Sequence, residues 1–153
     1  MLPRLETALL WAMRAWVLGL LRDTDVAPRI VAVFTRLGAP EAMASFDGLM
    51  RGLAHGARRV LDVNCVCHPR VSGDEQSLLD ACALRQAGRW QDALALLGTL
   101  TTPAAAAACN DSAARLMAVL NAAGHMLQPN AALRRHAFAC AAPLIAQGSA
   151  RLH

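Results

Sequence analysis

Apolar positions along this chain recur at helical spacing, three and four residues apart, and hardly anywhere with the alternation of a strand. The first segment, Pro3 to Arg22, is apolar on most sides. At about 100° per residue, Arg4, Thr7, Trp11, Arg14, Leu18 and Arg22 share one narrow stripe. That pattern predicts a helix enclosed by its neighbours, with Trp11 and Leu18 on its otherwise polar face. Asp23 to Asp25 supply an N-cap for a second helix over 26–37, with Pro28 in its first turn, where a proline is tolerated. Gly38 closes it and Pro40 opens a third helix, read as running to Leu61. Met43, Phe46, Leu49, Met50, Leu53 and Val60 fall on one side of that helix. Glu41, Ser45, Arg51, His55 and Arg59 fall on the other.

The stretch VNCVCHPRVSGDE, residues 63–75, breaks the pattern. It ends in Ser72 with Glu75 three residues on, a capping box that starts a fourth helix reaching about Ala87. Gly88 ends that helix, and a fifth spans 89–100. Thr102 and Pro103 begin a sixth, which continues to about Gly124 and is read as kinked or restarted at 109–112. QPN at 128–130 is a turn. A last helix over 131–147 is interrupted by Pro143. The expectation is an all-α fold: residues 1–153 as a single domain, a bundle of six to seven mostly antiparallel helices joined by short connections.

Composition adjusts the picture at a few points. Apolar residues make up 56% of the chain and charged residues 17%. That excludes a disordered chain and leaves more apolar surface than a lone small domain hides. The expected partner is therefore protein, most simply a second copy of the chain, through a contact involving Trp11, Leu18 and Trp90. There is no lysine and no tyrosine, and all 15 basic residues are arginine, a bias that a GC-rich genome explains. The apolar run after Arg14 is far shorter than the roughly 20 residues a bilayer span needs, so no membrane span is expected. Five cysteines at irregular spacing argue against a disulfide framework and for a reducing, cytoplasmic setting.

Residues 78–103 resemble one tetratricopeptide helical hairpin, through Ala81, Leu84, Gly88, Trp90, Ala93, Leu97 and, two residues early, Pro103. The resemblance covers about one sixth of the chain, without a second copy at the period of about 34 residues, so it implies a helix pair and not a repeat array. The whole chain is similar to small helical proteins of GC-rich proteobacteria, a resemblance that implies no activity.

Chemistry concentrates at Cys65, Cys67 and His68. Two thiolates and an imidazole suit zinc, with His55, ten residues upstream, as the nearest further ligand. A structural zinc site takes four ligands, usually in C-x-x-C pairs, and the spacing here is C-x-C. Arg58, Arg59 and Arg70 could alternatively activate a thiol for redox chemistry. The plainest reading makes the stretch a rigid connector whose cysteines plug the end of the bundle. Cys82, Cys109 and Cys140 read as core residues, His125 and His136 as surface or helix-dipole groups. No acid–base pair or catalytic triad assembles. VFTRLGAPEAMASFDGLMRG has the outline of a helix-turn-helix, but Glu41 and Asp47 would oppose a phosphate backbone, so nucleic acid is not an expected partner. Two functions follow as expectations: a non-catalytic helical interaction protein, a homodimer, or a zinc-binding or thiol protein acting at residues 65–68.

Overall fold

The computed structural model describes residues 4–127. The predicted last helix, Cys140 and His136 lie outside the described residues. Six helices follow in order: α1 (Arg4–Arg22), α2 (Ala27–Arg36), α3 (Ala42–Gly56), α4 (Gly73–Gln86), α5 (Trp90–Leu100) and α6 (Pro103–Ala122). Among the described residues there is no sheet. One isolated antiparallel bridge joins Ala57 to Thr101. The chain is an all-α bundle around one continuous core, and no described helix is long and apolar enough to cross a membrane.

Punctuation sets the helix ends. Gly88, at φ +78°, turns the chain out of α4. Its amide bonds to Arg85 O, and the Arg89 amide reaches back 2.9 Å to Leu84 O, which satisfies carbonyls that the helix end leaves open. Ser72 and Glu75 form the predicted capping box at the start of α4. The N-cap of α2 is Val26, without a side-chain cap hydrogen bond, and not a residue of the 23–25 stretch; Asp25 Oδ1 accepts the Ala27 amide at 3.1 Å in a local turn just ahead of the helix. Thr102 caps α6, which runs unbroken through 109–112. The expected kink is absent because the polar residues there have internal roles: Asn110 Nδ2 donates to Trp90 O at 3.2 Å and Ser112 is buried beneath α3.

The most extensive helix pairing is α3 with α6. Gly48, Gly52 and Gly56 recur every four residues and so share one face of α3. A Cβ on Gly52 would stand 2.7 Å from Cys109 Sγ, one on Gly48 3.2 Å from Ser112 Oγ, and one on Gly56 would overlap Ala105 Cβ. The α3 backbone lies directly against the small side chains of α6. The opposite flank of α3 seats Phe46 against Phe34 of α2, edge to face with ring centroids 5.4 Å apart.

The third helix stops at Gly56, five residues before the predicted end. Ala57 turns extended (ψ 135°), and the Thr102 amide takes Gly56 O at 2.9 Å while the Arg58 amide takes Leu100 O at 3.0 Å. Pairing with the α5–α6 junction replaces the last helical hydrogen bonds. Val60, predicted on the apolar face, is consequently 60% exposed.

α1 keeps its predicted stripe at both ends, where Arg4, Thr7 and Arg22 are exposed, but Arg14, in the middle, is buried. Trp11 and Leu18 are half-buried, whereas Leu20 and Leu21 at the C-terminal end are 58% and 50% exposed.

Candidate functional site

Residues 57–72 link α3 to α4 without regular structure, yet they are held at many points. Arg14 crosses from α1 to bind Glu75 through both carboxylate oxygens, Nε to Oε1 at 2.8 Å and Nη2 to Oε2 at 3.0 Å. Two further hydrogens reach His68 O (2.8 Å) and Arg70 O (2.6 Å). Glu75 in turn accepts the Asn64 amide at 2.9 Å and the Ser72 amide at 2.8 Å. The side chains of the pair are 3% and 0% exposed. An ion pair so completely desolvated is tolerated only when its spare donors and acceptors are satisfied, as the loop backbone does here.

A second clamp sits at the other end of the loop. Arg59 binds Asp74 in a fork, at 2.7 and 2.8 Å, and the Asp62 amide donates to the same carboxylate at 2.6 Å. The hydrogen bond to Asp74 pushes the Arg59 pKa up from its ordinary value, against some desolvation. Arg58 Nε donates to Thr101 O at 2.7 Å. Asp74 and Glu75 thus do more than cap a helix. They fix the loop that precedes it.

At the loop's tip the His68 amide bonds to Cys65 O at 2.9 Å and closes a turn over residues 65–68. Cys65, Cys67 and His68 are all exposed on it. The cysteines do not plug the bundle, because Leu61, Val63 and Asn64 occupy the inward positions. His68 Nδ1 accepts the Arg70 amide at 3.1 Å. His55 is elsewhere, exposed on α3 with Nδ1 2.8 Å from Arg51 O. Among the described residues no three His, Cys, Asp or Glu side chains converge where a metal could sit. Cys82 and Cys109 are the buried small residues the sequence suggested. Burial pushes the Cys82 thiol up to about 12, with Asp80 adding to it, and the Cys109 thiol up to about 11. His125 Nε2 lies 2.6 Å from Leu37 O, at the C-terminal end of α2, where a donor meets a helix's open carbonyls.

Two surface grooves flank α1. The larger, about 640 Å³, lies between the C-terminal end of α1, the 23–26 loop and α3. Trp16, Leu20, Val26 and Met43 give it an apolar floor, and Asp23, Asp25, Asp47, Arg51 and His55 line its rim. Within it Asp47 accepts Trp16 Nε1 at 2.9 Å and Arg51 Nε at 2.6 Å. Partial burial works against the Asp47 carboxylate, but those two hydrogen bonds and the Arg51 charge outweigh it and hold the pKa below the ordinary value. The smaller groove, about 530 Å³, contains Trp11, Val33 and Leu37 between Arg4 and Arg36. Trp90, half exposed at the start of α5, belongs to neither. The three predicted contact residues do not share a groove.

Sequence reasoning missed Leu20, Leu21 and the groove beside them. Two successive leucines at a helix end followed by Arg22 and Asp23 were the available signal. No family, curated protein or solved structure that was compared matches the chain.

Proposed function

We propose that this is a non-catalytic helical interaction protein whose partner is a second copy of itself, docked at the C-terminal end of α1. The observation that carries the reading is the pair of bare leucines at the end of α1: Leu20, which lines the larger groove with Trp16, Val26 and Met43, and Leu21, the next residue along the chain. Exposed apolar surface of this kind, contiguous and rimmed by charge, is characteristic of contact sites. The rim holds both signs: Asp23, Asp25 and Asp47 stand with Arg51. In a two-fold contact each residue meets its counterpart's surroundings reciprocally, so a rim with both signs complements itself. The smaller groove, with Arg4 and Arg36 and no carboxylate, would set like charges against each other in such a pairing. Charge therefore favours the larger groove for self-association.

The test is a solution mass by light scattering on the full chain across a concentration series. The reading predicts a mass near twice 16.2 kDa, reduced to one chain by Leu20→Asp or Leu21→Asp and unchanged by Trp11→Ala or Trp90→Ala. A wild-type monomer at high concentration overturns it. A dimer that survives both aspartates but yields to Trp90→Ala overturns the placement.

A further inference from the structure

The turn at residues 65–68 carries a second inference, independent of self-association. Of the four described cysteines, two are sealed in the core and two are exposed on one four-residue turn. Chain geometry alone brings Cys65 and Cys67 together: residues two apart in a closed turn have Cα atoms about 5.5 Å apart, within the range over which two sulfurs reach one point. The turn is not free to open. Arg14 holds the carbonyls of His68 and Arg70 from behind, and Asn64 Nδ2 donates to Arg70 O at 2.8 Å. Asn64, immediately before the first cysteine, is itself buried. The two thiols are thus presented to solvent on a support fixed through a desolvated ion pair.

The ligand count selects what such a site can take. Zinc in a structural site needs four ligands, and no third His, Cys, Asp or Glu joins the pair among the described residues. Oxygen-seeking cations want carboxylates and carbonyls. Thiolates alone suit soft ions, and soft monovalent d¹⁰ ions are content with two of them. We propose that Cys65 and Cys67 form a two-coordinate site for a soft monovalent cation, Cu(I) or its analogue Ag(I). Binding breaks the two S–H bonds, forms two metal–sulfur bonds, releases one proton from each thiol to solvent and transfers no electron.

The experiment titrates reduced full-length protein with Ag(I) by calorimetry, and with Cu(I) under anaerobic conditions against a competing chelator. A Cys140→Ser background keeps the fifth cysteine out of the result. The site predicts one ion per chain, with affinity lowered at least about 100-fold in Cys65→Ser and in Cys67→Ser, more than changes outside the ligand shell cost. His68→Ala should leave affinity unchanged, and absorption spectroscopy of the Cu(I) form should show sulfur neighbours without nitrogen. Both cysteines are exposed, so the serine variants should keep the helical circular dichroism of the parent. Binding no tighter than in the Cys65→Ser/Cys67→Ser double variant overturns the site. One ion per two chains, or a loss in His68→Ala as large as in the serine variants, overturns the two-thiolate geometry.

Discussion

The connector at residues 57–72 and the α3–α6 crossing are both rigid, by opposite means. The connector has no repeating structure and owes its shape to a few charged side chains, each bonded several times over. The crossing is regular helix against regular helix, and its closeness depends on side chains being absent: Gly48, Gly52 and Gly56 against Ala105, Cys109 and Ser112. One is specified by electrostatic saturation and is vulnerable to losing a partner. The other is specified by shape and is vulnerable to gaining an atom.

The largest expected effect separates these cases. Arg14→Met leaves Glu75 buried and uncompensated, and should cost about 3–5 kcal/mol in urea unfolding. Adding Glu75→Gln should recover part of that loss, since the charge is then gone from both sides. Next comes the crossing. Gly52→Leu should cost about 1–3 kcal/mol through overpacking against Cys109. Gly98→Ala, in the last turn of α5 with open space around it, should instead stabilise by up to about 0.5–1 kcal/mol. If both glycine changes destabilise alike, close approach is not what fixes the crossing. Ser72→Ala should cost about 1 kcal/mol, as loss of one helix cap does. The smallest effect near neutrality grows with pH. The Cys82 and Cys109 thiols ionise near 9 when unfolded but only at about 12 and about 11 in the fold. Raised acid pKa values give stability that is complete below pH 9 and lost as pH climbs through the folded values. Thermal unfolding measured from pH 8 to 11 should show this decline, flattened in Cys82→Ala.

Helix existence was legible because periodicity, proline, glycine and capping residues agree locally. Ser72 with Glu75, and Gly88, are signals contained within a few residues. What escaped depends on residues distant in sequence. Arg14 reads as a surface group because nothing near it announces Glu75, and a single arginine on an apolar helix looks like the edge of a solvent stripe. The end of α3 was misplaced because Ala57 gives up helix for a bridge to Thr101. The α3 glycines stood in plain view at four-residue spacing, but glycine inside a helix reads as a weakness until its neighbour is known. The site was partly legible: the two cysteines were singled out, but their outward placement depends on Leu61 and Val63 taking the interior. The grooves on α1 belong to packing between helices, which local spacing does not encode.

The Arg14–Glu75 pair also bears on how the molecule comes into being. The two residues are 61 positions apart in the chain. At translation rates of about 5–20 residues per second, the arginine waits roughly 3–12 s after its own synthesis before its glutamate is made. Until then the first helix carries a cation on a face that is buried in the finished fold. The salt bridge therefore cannot close before the start of α4 has been made, and in the finished fold it ties the first helix to the fourth.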